Sequence, residues 1–158
     1  MHLSTFIGTF VVAVNTAFAS YSIVHNNCNF TVWITSVQKN RTPTQKILPG
    51  RQYIEPQNVA QNGVGTSVQV LKSEDGLYTG KPILTMGYSL VPNNTIYYSL
   101  SSVNGFDFKG EKLRIHNTAG VSVEEIVWLG EPKPDYTAAY KGNADLALEL
   151  CDKFLEKA

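Results

Sequence analysis

Polar and apolar residues alternate along much of this chain, and the alternation predicts β-strands. Residues 21–25 and 30–37 carry aliphatic or aromatic side chains at every second position. A period of two with many β-branched and aromatic residues is typical of a strand that buries one face. Asn26 and Asn27, between the two runs, favour a turn because asparagine side chains bond the neighbouring main chain. The two runs are therefore predicted to form a hairpin, with Cys28 where its second strand begins.

The same alternation continues towards the C-terminus. Residues 39–50 and 131–143 are polar, contain two prolines each and are predicted loops, and Asn104-Gly105 is a turn dipeptide. Helix propensity competes with the strand pattern over residues 144–151, but a strand there would bring Cys151 to the first strand. Short strands with turns at regular spacing, and no long helical period, predict one all-β domain, an antiparallel β-sandwich. The further predicted strands cover residues 51–55, 66–72, 83–90, 95–103, 113–115, 121–129 and 144–151.

The N-terminus has the pattern of a secretory signal peptide. An apolar run too short to span a bilayer ends in Ala17-Phe18-Ala19, a small-x-small cleavage site. Signal peptides usually carry lysine or arginine before the apolar run, whereas this chain has only His2 there. Residues 1–19 are predicted to be a signal peptide, and residues 20–158 the mature domain in the extracellular space or cell wall. No later apolar run is long enough to cross a bilayer, so membrane insertion is not expected.

The charge balance argues against two classes of partner. The chain has 13 basic and 13 acidic residues and a formal net charge of zero. Nucleic acids and anionic membranes are bound by basic surfaces, so neither is expected as a main partner. We expect a monomer.

The cysteines and glycosylation sequons suit a secreted chain. Two cysteines allow one intramolecular disulfide, Cys28 with Cys151, which would join the first strand to the last. Free thiols or a metal pair are the alternatives. Asn29, Asn40 and Asn93 each begin an N-glycosylation sequon, and Asn29 is the most hindered because it abuts a cysteine and a strand.

A longer pattern resembles a known family. The residues IVHNNCNFTVWITSV at positions 23–37 look like the opening of thaumatin-like proteins, whose first cysteine pairs with one in the last strand. The short length and near absence of other cysteines are similar to a fungal secreted branch, the Blastomyces yeast-phase-specific proteins. The resemblance implies a thaumatin-like β-sandwich without the cysteine-rich second domain. It continues through residues 48–52, 87–90, 97–99 and 103–106.

The resemblance also implies a binding cleft. In thaumatin-like proteins this cleft is acidic and has been tied to β-1,3-glucan binding or hydrolysis. The matching positions here are Gly87, Ser99 and Asn104, so three acids are missing. A glycosidase needs an acid and a base or nucleophile, and Asp107 alone cannot supply both. The chain is therefore predicted not to be an enzyme, with no catalytic residue, no cofactor and no metal.

The remaining candidate site is one mouth of the sandwich. Aromatic and charged side chains there could contact β-glucan, another polysaccharide or a protein. If the chain is instead an effector, inhibitor or adhesin, it would contact a host or cell-surface protein through the loops at residues 39–51 and 132–143. The alternative is an ordinary rim without a ligand. The candidate ligand-binding residues are Tyr97, Phe106, Asp107, Phe108, Lys109 and Glu111.

Overall fold

Two stacked β-sheets make up the described part of the chain, residues 20–153 of a computed structural model. No helix occurs within these residues, and the predicted all-β sandwich is confirmed. The predicted signal peptide, residues 1–19, lies outside the described residues. The eleven strands are β1 (Tyr21–Asn26), β2 (Val32–Val37), β3 (Gln45–Ile47), β4 (Gln52–Pro56), β5 (Thr66–Leu71), β6 (Ile83–Val91), β7 (Thr95–Val103), β8 (Lys112–His116), β9 (Ile126–Leu129), β10 (Thr137–Lys141) and β11 (Leu146–Leu150).

The strands divide into a five-stranded sheet, in the order β4-β1-β11-β8-β9, and a six-stranded sheet, in the order β10-β7-β6-β5-β2-β3. Neighbouring strands are antiparallel except β1 and β11, which are parallel. Alternate residues of each sheet point into one shared core because side chains of a strand alternate between its two faces. Fully buried core residues from both sheets include Ile34, Met86, Tyr98, Leu113, Ile115 and Leu148.

The predicted hairpin between the first two strands is wrong, because β1 and β2 belong to different sheets. Asn26 explains the crossing. Its buried side-chain amide donates hydrogen bonds to the carbonyl oxygens of Phe30 (2.9 Å) and Ile47 (3.0 Å), and its side-chain oxygen accepts one from the Cys28 amide (3.2 Å). These contacts fix a corner that carries the chain from one sheet to the other. The contact with Ile47 spans 21 residues and has no local sequence signal.

Two strands lie where loops were predicted, β3 within residues 39–50 and β10 within residues 131–143. Both are edge strands of the six-stranded sheet. An edge strand has one neighbour and buries few side chains, so it needs little of the alternation that identifies central strands. β3 buries only Ile47, and β10 only Ala138.

The predicted cysteine pair, Cys28 and Cys151, forms a disulfide across 123 residues, with the two Cα atoms 5.0 Å apart. Cys151 directly follows β11, which lies beside β1, so the bridge fastens the first strand to the last. Cys151 has a φ of 51°, in the left-handed region. The chain turns sharply there, and the Asp152 amide donates a hydrogen bond to the Lys112 carbonyl oxygen (2.8 Å).

Candidate functional site

The aromatic residues of the predicted mouth close one end of the core. Phe108 is fully buried, and its ring centroid lies 6.1 Å from that of Phe30 and 6.4 Å from that of Phe106. Phe106 is half-buried and meets the Trp128 ring edge-on, at 5.7 Å between centroids. Tilted and edge-on pairs at these distances stabilise aromatic clusters. Phe108 therefore offers no ring surface to a ligand, contrary to its predicted place in a contact surface.

The charged residues of the same segment have separate surroundings. The Lys72 ammonium lies over the rings of Phe30 (4.2 Å) and Phe108 (4.7 Å) and donates a hydrogen bond to the Asp107 carbonyl oxygen. Burial raises the pKa of the Asp107 carboxyl, and the nearby Lys72 charge only partly opposes this effect. Lys109 is exposed, and Glu111 lines a cavity of about 360 Å³ beside the disulfide.

Tyr97 lies apart from the other predicted ligand-binding residues. It lies on the outer face of β7 and is 43% exposed, whereas Phe106 and Phe108 follow the far end of that strand. From Tyr97 to Val103 the strand rises roughly 20 Å. The predicted ligand-binding residues therefore do not form one mouth. Their role in binding stays a prediction.

Two positions that the thaumatin-like resemblance matches to cleft acids lie side by side in the structure. Gly87 of β6 and Ser99 of β7 are direct register partners on the outer face of the six-stranded sheet. Asn104 lies beyond the end of β7, in a turn with a φ of 58°. A hollow of about 240 Å³ surrounds the Gly87–Ser99 pair. It is lined by Thr66, Gly87, Tyr88, Ser89, Tyr97, Tyr98, Ser99 and Thr137.

The three central strands around this hollow carry no charge, and the neighbouring edge strand β10 places Lys141 beside Thr95. None of the residues of β5, β6 and β7 is acidic, basic or histidine. Their outward positions carry mainly hydroxyl, amide and small side chains, at intermediate exposure. This surface was not predicted from the sequence, although three successive strands without a charge are a readable signal. We call it the neutral face, and it comprises Ser67, Gln69, Thr85, Gly87, Ser89, Thr95, Tyr97, Ser99 and Ser101.

The outer face of the five-stranded sheet carries a charge network instead. Glu149 of β11 is 7% exposed. One of its carboxylate oxygens is hydrogen-bonded to His25 Nδ1 (2.6 Å) and His116 Nε2 (2.9 Å), and the other accepts a hydrogen bond from the Asn27 amide (2.7 Å). Burial alone would raise the pKa of Glu149, but the hydrogen bonds from His116, His25 and Asn27 outweigh it and lower the pKa to about 2. Glu149 is therefore ionised, and hydrogen bonds with three neighbouring side chains hold its carboxylate in place.

A second carboxylate nearby is also engaged. Asp152 accepts a hydrogen bond from Arg114 Nε (2.8 Å), and its carboxylate lies 4.0 Å from the Lys112 ammonium. Its side chain is 6% exposed. Asp152 lines a broad cavity of about 690 Å³ at the disulfide end of the sandwich. Glu149 and Asp152 therefore both hold cationic or N–H partners, and Asp152 shares the smaller cavity beside the disulfide with Glu111.

The sequon asparagines Asn29, Asn40 and Asn93 are all exposed, and their glycosylation stays a prediction. Within residues 20–153, no three histidine, cysteine, aspartate or glutamate side chains are placed to hold a metal ion together. The same residues include no helix long and apolar enough to cross a membrane.

Comparisons with known proteins agree with this architecture. A family model described as Blastomyces yeast-phase-specific protein matches residues 9–152. The crystal structure of the protein elicitor MoHrip2 from Magnaporthe oryzae superposes with a TM-score of 0.70 at 23% sequence identity, covering 85% of this chain and 100% of that one. This likeness establishes a shared fold. A search of curated proteins gives no match.

Proposed function

The chain belongs to the Blastomyces yeast-phase-specific protein family, and we propose that it is a secreted, non-catalytic binding protein acting at the fungal cell wall or the host surface. The family is fungal, and the structural neighbour is a fungal protein elicitor. Secretion is further supported by the predicted signal peptide over residues 1–19 and by the Cys28–Cys151 disulfide, since such bridges persist in oxidising compartments.

Binding without turnover is supported chiefly by the neutral face. Gly87 and Ser99, the positions matched to cleft acids, face each other as register partners and carry no carboxylate between them. The buried carboxylates elsewhere, Glu149 and Asp152, are held by histidine, arginine and amide donors. A glycosidase would need two carboxyl groups flanking one bond, with one of them able to carry a proton. The surfaces of the described residues therefore favour binding of a polysaccharide over its hydrolysis.

We further propose that residues 20–158 form a sandwich of the thaumatin-like kind. The sequence pattern at residues 23–37 and the disulfide between the first and last strands support this relationship. The first ligand to consider is then a β-glucan. We also propose that the protein is a monomer and is glycosylated at one or more of Asn29, Asn40 and Asn93.

The experiment combines binding and turnover in one tube. Protein purified from culture medium is first sequenced at its N-terminus, where Ser20 is expected if the signal peptide is cleaved after Ala19. It is then mixed with insoluble β-1,3-glucan, chitin or cellulose, and both the pelleted protein and the released reducing sugar are measured. We expect saturable binding to at least one polysaccharide without sugar release. Sugar release at a rate proportional to protein would contradict the non-catalytic proposal.

A second candidate is a protein-interaction factor of elicitor type, which the structural neighbour favours. Such a protein would bind host cells through a surface protein. Labelled protein is therefore added to host cells pretreated with protease or with glucanase. Loss of binding only after protease treatment would favour the second candidate, and loss only after glucanase treatment would favour the first.

A further inference from the structure

A polar cavity of about 230 Å³ opens at one side of the sandwich, where β4 of one sheet meets β2 of the other. Every residue that lines it is polar or charged. One water takes up about 30 Å³ of the liquid, so the cavity has room for a small organic molecule. We call it the side pocket, and it is lined by Ser36, Gln38, Lys39, Asn40, Thr42, Glu55, Asn58, Gln61 and Thr66.

Glu55 gives the side pocket an oriented carboxylate. Its Oε1 accepts a hydrogen bond from Ser36 Oγ (2.9 Å), and its Oε2 accepts one from the Tyr53 hydroxyl (2.8 Å). Burial raises the pKa of Tyr53, and the hydrogen bond to Glu55 raises it further, so this hydroxyl stays a donor. Among residues 20–153, no lysine, arginine or histidine nitrogen lies within 4.0 Å of the Glu55 carboxylate. Each oxygen can still accept a further hydrogen bond from a ligand.

Thr66 gives the pocket a buried hydroxyl without a partner. The residue is 4% exposed, and its Oγ1 has no hydrogen-bond partner in the part of the chain that the structure describes. The Tyr88 hydroxyl lies near it but does not reach hydrogen-bonding geometry with it. A buried polar atom without a partner is unfavourable, and native proteins contain few of them. A ligand that hydrogen-bonds to Thr66 would remove this cost.

Lys39 places a positive charge at the exposed rim of the same pocket. The pocket therefore carries a carboxylate that is partly buried and an ammonium group that is exposed, without an ion pair between them. A neutral sugar chain has no charge to match either group. A molecule with one charge of each sign matches both, and the side-chain amides of Gln38, Asn58 and Gln61 can bond its remaining polar atoms.

We propose that the side pocket binds a small zwitterionic molecule of the amino acid type. The ammonium group of the ligand donates hydrogen bonds to Glu55 and Thr66 Oγ1, and its carboxylate meets Lys39 at the rim. The site is independent of the proposed polysaccharide binding. Its affinity falls as salt is added, because screening weakens the contact with the exposed Lys39.

The test titrates the purified ¹⁵N-labelled protein with L-serine and with L-glutamine, and Kd is taken from the amide shifts. Two derivatives of serine separate the charges, since serine methyl ester lacks the carboxylate and N-acetyl-L-serine lacks the ammonium group. We expect saturable binding of at least one of the two amino acids, with shifts at residues that line the side pocket. Each derivative should bind at least about ten-fold more weakly than L-serine, the effect of losing one charged hydrogen bond.

Variants test the two charges separately. Glu55→Gln and Lys39→Gln are each expected to raise Kd about ten-fold or more. Lys39 is exposed, so its variant keeps the fold even if Glu55→Gln lowers stability. Glu111→Gln and Lys46→Gln are the matched controls outside the pocket, and both should bind like the wild type. Circular dichroism checks that every variant is folded.

A pair of threonine variants separates binding from stability. Thr66→Val should raise Kd without lowering the midpoint of thermal unfolding, because the unliganded protein loses no hydrogen bond. Thr35→Val should do the reverse, because the buried Thr35 hydroxyl is hydrogen-bonded to Thr44 (2.8 Å) and lies outside the pocket lining. A Thr66→Val variant that binds like the wild type would overturn the assignment of Thr66.

Three outcomes would overturn the inference as a whole. The first is that neither amino acid binds. The second is that N-acetyl-L-serine or the methyl ester binds as tightly as L-serine, because one of the two charges then plays no part. The third is that Glu55→Gln and Lys39→Gln both leave Kd unchanged, which would place the ligand elsewhere.

Discussion

Replacing Glu149 with glutamine tests whether the charge network on the five-stranded sheet stabilises the fold. The substitution keeps the size of the side chain but removes the negative charge that His25 and His116 both face. Glutamine has an NH2 group in place of one carboxylate oxygen. One of the three donors, from His25, His116 or Asn27, therefore faces an N–H group and loses its acceptor. Leaving a buried donor without an acceptor costs about 1–3 kcal/mol, so Glu149→Gln should be clearly destabilising.

The pKa of Glu149 gives an independent magnitude. A carboxyl group whose pKa falls from 4.5 in the unfolded chain to about 2 in the folded protein stabilises the ionised fold by about 3 kcal/mol. Because the folded pKa is the lower one, this contribution is complete well above pH 4.5 and is lost as the pH falls towards 2. The stability difference between wild type and Glu149→Gln should therefore shrink on acidification.

The assay is urea unfolding of both proteins, with the disulfide intact, at about pH 6.5 and about pH 2.5. We expect Glu149→Gln to be about 2–3 kcal/mol less stable at the higher pH and most of that gap to close at the lower pH. Glu125→Gln is the control, because Glu125 is half-exposed and its ion pair with Arg114 is worth at most about 1 kcal/mol. A gap that is equal at both pH values, or absent at the higher one, would refute this account of Glu149.

Three further predictions concern the fold. Replacing Cys28 and Cys151 together by serine should lower the free energy of unfolding by up to about 5 kcal/mol, because the bridge closes a loop of 123 residues; unchanged urea stability would contradict this. Phe108→Ala should cost about 3–5 kcal/mol as a cavity in the core, while the half-buried Phe106→Ala should cost less, and equal midpoints in thermal unfolding would argue against the aromatic cluster. Gly130→Ala should destabilise the protein by roughly 1–3 kcal/mol more than Gly120→Ala. Both glycines have positive φ, but a Cβ at Gly130 would lie 2.9 Å from Gly110 Cα whereas one at Gly120 meets nothing within 4 Å, so similar losses in the two variants would exclude close backbone packing at Gly130.

The fold class could be predicted because it depends on local alternation. β7, for example, occupies residues 95–103, as the alternation predicts, since Ile96, Tyr98 and Leu100 all face the core. The pairing of strands depends on contacts between distant residues. The wrong hairpin arose because the Asn26 bond to Ile47, which turns the chain into the other sheet, leaves no trace in the neighbouring sequence. Edge strands such as β3 and β10 carry too few buried residues to be recognised.

The site was harder to predict than the fold. Aromatic residues near a turn, such as Phe106 and Phe108, have the same sequence whether they face solvent or the core, and here they pack against Phe30 and Trp128. The charge network was missed because His25 and Glu149 are 124 positions apart and meet only through the parallel pairing of β1 and β11. The neutral face differs from the aromatic cluster and the charge network, because the absence of charged residues in β5, β6 and β7 can be read directly from the sequence.

The most direct test of carbohydrate binding without turnover is a titration followed by NMR. Uniformly ¹⁵N-labelled protein is mixed with increasing amounts of a soluble β-1,3-gluco-oligosaccharide, and the amide shifts are recorded together with the reducing ends in solution. The account predicts saturable shifts confined to one surface of the protein, with no new reducing ends. Hydrolysis of the oligosaccharide, or no shifts at all, would contradict it.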